Sequence, residues 1–117
     1  MYNKENQYFM EVKIKVDDVK KHYREYEISG DISVQNIEEL SQKMKNCVQD
    51  CEEINIALSK ITSFDTAAFQ FFYALKNSFI RDRKKLTVSC DFSPETAQLL
   101  RNCGFDDLSA VLSTENW

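Results

Sequence analysis

The chain has 117 residues, of which 43% are hydrophobic and 29% are charged, with a net charge of −4 and a pI near 5.0. This length and apolar content suit one folded domain with a sizeable core and exclude wholesale disorder. A mildly acidic chain lacks the basic face that binding to a nucleic-acid backbone requires, so we predict no nucleic-acid partner.

The sequence shows no signal for a membrane, a metal or a cofactor. No apolar run is long enough to span a bilayer, and residues 1–7 carry no hydrophobic segment of the kind found in secretory signals. The four cysteines and the single histidine match no zinc-binding spacing, and a chain with two glycines has no phosphate-binding glycine loop. We expect a cytoplasmic protein without membrane insertion, metal or cofactor, in which the cysteines are buried thiols.

The first elements predict a hairpin that follows a frayed polar segment at residues 1–8. Apolar and charged residues alternate over residues 10–16, which indicates a half-buried strand, and the two aspartates that follow indicate a turn. Tyr23, Tyr26 and Ile28 predict the second strand, which ends at Gly30.

The middle of the chain predicts a helix, a buried strand and a second helix. Ser33 is a good N-cap, and apolar residues at three- and four-residue steps over 37–51 predict one amphipathic helix. Residues 54–58 form a short apolar run that is typical of an interior strand. A hydroxyl-rich loop over residues 59–64 then leads to Asp65, which is predicted to cap a helix that ends near residue 81.

The last elements are a strand at residues 86–90 and a helix that starts after Ser93. Gly104 is predicted to end this helix in a left-handed conformation, with Phe105 packed back against it. Residues 109–112 are predicted as either a short strand or a helical turn.

The order of these elements predicts the fold class. Strands and helices alternate in the second half, which favours parallel strands joined by helical crossovers, and the hairpin adds an antiparallel strand. We predict a single α/β domain over residues 9–117. It has a mixed sheet of four to five strands, with helices packed mainly on one face.

The start of the central helix is the strongest functional signal. Asp65 accepts a bond from the first turn as an N-cap, which explains this residue without any further function. Thr66 follows at the positive end of the helix, where a phosphate on its hydroxyl would be tolerated. Thr66 is therefore a candidate phosphoacceptor, and an ordinary first-turn residue is an equal alternative.

The helix predicted over residues 66–80 carries two apolar faces. The broad face is expected to pack on the sheet. The narrow face, which we call the outer stripe, consists of Ala67, Phe71, Ala74 and Ser78. Small residues around one aromatic ring suit a protein partner. Alternatively, a C-terminal segment of the same chain covers the outer stripe, or Phe71 is a lone exposed ring.

No catalytic arrangement is recognisable. His22 is the single histidine and is predicted to lie on the surface, and no nucleophile or carboxylate pair stands in a familiar pattern. We predict a binding module rather than an enzyme. Its partner would dock through the loop at residues 59–66, including Ser63, Asp65 and Thr66, and through the outer stripe.

Three segments carry a family resemblance. Residues 56–69 have the sequence IALSKITSFDTAAF, residues 30–32 are Gly-Asp-Ile, and residues 101–105 are Arg-Asn-Cys-Gly-Phe. With these segments the chain resembles the STAS domain, the fold of bacterial anti-sigma-factor antagonists, over roughly residues 10–113. The resemblance implies a small mixed sheet backed by helices, no catalysis, and reversible docking to a protein.

The resemblance also implies where control would act. In the antagonist branch, a partner kinase phosphorylates a Ser or Thr at the second position after the Asp, and this switches docking off. This chain has Ala67 there and carries its hydroxyl one residue earlier, at Thr66. Asp-Thr-Ala resembles branches that act without phosphorylation at that position. They include domains associated with chemotaxis or histidine kinases and small subunits of lipid-transport ABC complexes.

Three hypotheses for the function stay open. The first is a module of a bacterial signalling pathway that docks an anti-sigma factor or serine kinase, a histidine kinase or a chemotaxis protein. The second is an accessory subunit of an ABC transporter that binds its ATPase. The third is a small nucleotide-binding domain. A homodimer is compatible with each of them.

Overall fold

The computed structural model describes residues 9–104 and 107–114. Within these ranges lie four strands: β1 (Met10–Asp18), β2 (Tyr23–Ile32), β3 (Glu53–Phe64) and β4 (Lys85–Phe92). The same ranges contain five helices: α1 (Ile37–Lys43), α2 (Cys47–Asp50), α3 (Thr66–Arg81), α4 (Pro94–Asn102) and α5 (Leu108–Leu112).

The strands form one sheet in the order β1-β2-β3-β4. β1 pairs antiparallel with β2, whereas β2, β3 and β4 are parallel neighbours. The connections between the parallel strands contain helices, as crossovers of this kind require. The predicted mixed sheet is therefore confirmed, with four strands in the described part of the chain.

One face of the sheet forms the core. Alternate side chains of the inner strands are buried: Tyr26, Ile28, Ile54, Ile56, Leu58, Leu86 and Val88. Helix α3 contributes Phe72 and Phe79, which have no exposed surface. Charged and polar side chains such as Glu25, Asn55 and Thr87 alternate with the buried set and line the opposite face. The helices thus pack on the face with the apolar residues, as the alternation predicts.

The helix predicted over residues 37–51 is divided in two, so the prediction of one continuous helix was wrong. Lys45 N donates to Gln42 O and Cys47 N donates to Met44 O, bonds that span three residues and tighten the chain between α1 and α2. Leu40, Met44, Cys47 and Cys51 nevertheless stay buried. Periodicity predicts which residues face the core, but it does not reveal a bend between them.

Ser33 does not cap α1, which was also a wrong prediction. Asn36 stands at the N-cap position, and its side chain makes no capping bond. The Ser33 hydroxyl is buried and donates instead to Asp31 Oδ2 at 3.0 Å. The same hydroxyl accepts from Gln35 N at 3.3 Å within a turn, and α1 begins only after this turn.

Residues 59–64 belong to β3, so the prediction of a loop there was wrong. The strand continues through a β-bulge at Lys60. Lys60 has a φ of 51°, in the left-handed region, and the pairing with both β2 and β4 shifts register there. The bulge turns Ile61 inward three residues after Leu58, so both are buried. A strict period of two cannot reveal such an inserted residue.

The C-terminal elements follow the sequence closely. Ser93 Oγ accepts from Thr96 N at 3.2 Å at the start of α4, and Gly104 follows its end with a φ of 92°. Residues 108–112 are helical, which decides between the two alternatives. Phe105 and residues 1–8 lie outside the described residues. Cys103 is exposed at the end of α4, so the expectation of buried thiols was wrong for this cysteine.

Candidate functional site

Asp65 lies between β3 and α3 and joins two loops. Its Oδ1 accepts from Ala68 N at 3.0 Å, which confirms the predicted N-cap. Its Oδ2 accepts from Val34 N at 2.9 Å, in the segment between β2 and α1. The second bond joins residues 31 positions apart, so it depends on the parallel pairing of β2 and β3 and has no local sequence signal.

Hydrogen bonds to Asp31 fix the segment at residues 33–36. The buried Asp31 carboxylate accepts from the Ser33 hydroxyl at 3.0 Å, and the Asn36 side chain donates to Asp31 O at 2.8 Å. Val34 is held on this segment with 64% of its surface exposed. Val34 is therefore a site residue that sequence reasoning missed. The family-like turn at residues 30–32 was the signal that could have found it.

The predicted residues at the β3–α3 junction come together at the carboxyl ends of the parallel strands. Thr66 is exposed in the first turn of α3, whereas Ser63 and Ala67 are half-buried. Within the described part of the chain, the Thr66 hydroxyl makes no hydrogen bond, so it faces solvent. The carboxyl ends of parallel strands are where open α/β sheets place their binding sites.

Aromatic rings support this junction from the core side. Phe64, at the end of β3, stacks on Phe72 with ring centroids 6.1 Å apart and lies 5.9 Å from Phe92. Phe71 meets Phe72 edge to face, with centroids 5.1 Å apart. Such pairs stabilise beyond simple area burial, so these ring contacts stabilise the junction.

Three residues of the outer stripe, Phe71, Ala74 and Ser78, form one wall of a shallow groove. The opposite wall comes from α1, α2 and the turn between them: Ser41, Met44, Lys45 and Val48. Phe71 and Ser78 are half-buried and Ala74 is exposed, so Phe71 is not a lone exposed ring. The C-terminal segment contacts α3 at a different residue, since Lys76 Nζ donates to Val111 O at 2.7 Å. Within residues 9–104 and 107–114, the groove is therefore open to a partner.

Three cysteine thiols, of Cys47, Cys51 and Cys90, lie outside this site and are not activated. Burial raises the pKa of Cys47 to about 12 and raises the pKa of Cys51 and Cys90 above their ordinary value, which disfavours the reactive thiolate. His22 is exposed, as predicted. Among the described residues, no group of three or more His, Cys, Asp or Glu side chains is placed to hold a metal ion. Nor does any helix in those ranges have the length and apolar character needed to cross a membrane.

Comparisons with known proteins identify the family. Among solved structures, the chain is similar to the anti-sigma factor antagonist SpoIIAA in its unphosphorylated form, with a TM-score of 0.59 and 10% sequence identity. The match covers 80% of this chain and 83% of that one, and it confirms the fold. No curated protein sequence matches the chain. The STAS domain family model matches residues 14–116, nearly the whole chain, and the protein therefore belongs to the STAS domain family.

Proposed function

We propose that this STAS domain is a non-catalytic regulator, similar to anti-sigma-factor antagonists, that works by docking a protein partner. The docking surface consists of Val34, Ser63, Asp65, Thr66 and the outer stripe. One observation carries the proposal. The Asp65 carboxylate accepts from the backbone N–H groups of both Ala68 and Val34, and so places the exposed Val34 side chain beside the start of α3. A surface that is fixed before binding loses little conformational entropy when a partner docks.

The chemistry of the docking surface suits an apolar contact with a polar rim. Val34 and Phe71 offer the larger apolar groups, and the small side chains Ala67 and Ala74 let a partner approach the helix closely. Thr66 lies at the rim. A phosphate there would add negative charge next to the Asp65 carboxylate and would weaken docking by repulsion and by the cost of desolvation. Because residue 67 is Ala, we propose that docking is not controlled by phosphorylation at that position.

The test uses affinity capture from the host, with two matched variants. Val34→Asp places a charge on the docking surface, whereas Val19→Asp makes the same change at a residue that is 75% exposed and lies in the β1–β2 turn. We expect wild type and Val19→Asp to capture the same partners and Val34→Asp to lose them. Thr66→Glu should weaken capture less, because it acts from the rim. Equal capture by Val34→Asp and Val19→Asp would refute the proposal.

The identity of the captured partner separates the signalling and transport hypotheses. An anti-sigma factor, a serine or histidine kinase, or a chemotaxis protein supports the signalling role, and an ABC ATPase supports the transporter role through the same docking surface. A nucleotide-binding role predicts a rise in melting temperature when nucleotides are added, since a ligand of the folded state stabilises it by mass action. We expect no such rise.

A further inference from the structure

The two outer edges of the sheet differ. On β4, three backbone N–H groups donate to side-chain hydroxyls at 2.9, 2.9 and 3.1 Å: Leu86 to Thr114, Val88 to Ser113, and Cys90 to Ser109. The Thr114 hydroxyl also donates to Leu86 O of β4 at 3.2 Å, whereas the Ser113 hydroxyl donates to Ser109 O at 2.6 Å. These side chains take the place of a neighbouring strand, so this edge is closed to further pairing.

β1, at the other edge, is nine residues long, and no strand in residues 9–104 and 107–114 pairs with its outer side. Asp31 N donates to Phe9 O at 2.8 Å, so Phe9 and Asp31 form a hydrogen-bonded pair of the antiparallel ladder. Hydrogen-bonded and non-hydrogen-bonded pairs alternate along such a ladder. Met10, Val12 and Ile14 consequently point their N–H and C=O groups away from β2. Within the described part of the chain, no strand or side chain hydrogen-bonds to these outward groups.

The open edge also carries exposed apolar side chains. Ile14 is 53% exposed, although it continues the series that begins with the buried Met10. The helices therefore do not extend over this part of β1. Val16 is 40% exposed and lies beyond the register shift, where it pairs with Glu25 on the opposite face. A long edge strand with an apolar face is a template for pairing with another strand. The register shift between Ile14 and Val16 limits the regular segment to residues 10–14.

We propose that β1 pairs antiparallel with β1 of a second copy of this chain, around a two-fold axis at Val12. In this register Met10 lies opposite Ile14, and Glu11 lies opposite Lys13. By symmetry each pair occurs twice. Apolar and oppositely charged cross-strand pairs both stabilise a sheet. Glu11 and Lys13 already form an ion pair within one chain, at 3.8 Å, and would exchange partners between copies.

Charge selects this register over its neighbours. An axis at Lys13 places the two copies of Lys13 opposite each other, and an axis at Ile14 places Lys13 opposite Lys15 twice. Like charges in direct opposition destabilise a sheet. The axis at Val12 avoids both conflicts and uses the outward groups of residues 10, 12 and 14. The dimer would be one continuous eight-stranded sheet, and it uses no residue of the docking surface.

The test is the molar mass in solution, measured by sedimentation or light scattering over a series of concentrations. Glu11→Lys and Lys13→Glu each place like charges opposite one another at both pairs, which is expected to weaken self-association about tenfold. An equimolar mixture of the two variants should dimerise again, because each variant supplies the charge that the other lacks. Lys20→Glu, the matched control in the exposed β1–β2 turn, should dimerise like wild type.

Further variants and readouts keep the test decisive. Ile14→Lys changes an exposed side chain, so it should fold normally and be monomeric. Partner capture by each of these variants is expected to equal that of wild type, so this proposal fails or succeeds independently of the proposed function. A wild type that stays monomeric up to about 1 mM, the range of weak specific association, would overturn the proposal. The proposal would also be overturned if Glu11→Lys and Lys13→Glu dimerised as strongly as wild type. It would be overturned as well if the equimolar mixture of these two variants remained monomeric.

Discussion

Asp65→Ala tests how much the structure depends on the carboxylate that joins the two loops. The substitution removes the cap on Ala68 N and the bond from Val34 N. An N-cap contributes about 1 kcal/mol. The second bond adds about 1 kcal/mol, because the Val34 segment is exposed and water replaces part of the bond. We therefore expect the free energy of unfolding to fall by about 2 kcal/mol.

Urea denaturation measures this loss, and Ser93→Ala is the matched control. Ser93 caps α4 by accepting from Thr96 N, and its hydroxyl donates to Thr96 Oγ1 in the same exposed turn. It joins no second loop, so its removal should cost about 1 kcal/mol. Amide exchange at Val34 gives an independent measurement, because its N–H loses its acceptor only in Asp65→Ala. If Asp65→Ala costs no more than Ser93→Ala and leaves Val34 exchange unchanged, Asp65 does not join the loops.

Three further predictions address the sheet. In Gly30→Ala, the new Cβ would lie 2.1 Å from Phe9 O at a φ of 95°, so we expect a loss of at least about 3 kcal/mol in urea denaturation; wild-type stability would contradict this. Lys60→Gly relieves a φ of 51° and should raise stability by about 0.5–1 kcal/mol, whereas Lys60→Ala should not. The hydrogen bond to Glu25 raises the pKa of Tyr23 to about 12, so the folded state holds this proton more tightly than the unfolded state. The stability that results is present below pH 10 and is lost as the pH rises towards 12. Tyr23→Phe should remove this pH dependence of the free energy of unfolding. A midpoint of the Tyr23 phenolate absorbance near its ordinary value would contradict the assignment.

The sequence was sufficient for features that depend on local chemistry. Alternating residues marked the strands, and Asp65 and Ser93 marked two helix starts because their side chains bond within one turn. The mixed topology followed from the order of the elements. These features need no knowledge of distant contacts, which is why composition and spacing were enough.

Several features that sequence reasoning missed depend on contacts between distant residues. The bulge at Lys60 appears only when β3 is paired with both neighbours. Val34 joins the candidate site through a bond to Asp65 across the sheet, and Phe71 lines a groove because α1 and α2 pack beside α3. Only the folded chain shows that the outer stripe has a neighbouring wall.

The central claim is that a partner docks on the surface around Val34 and the start of α3. Hydrogen exchange of the chain, with and without its purified captured partner, tests this claim most directly. We predict that binding slows exchange at residues 33–36 and in the first turns of α3, while the outward amides of β1 exchange as before. Unchanged exchange at both of these segments, with protection elsewhere, would contradict the account.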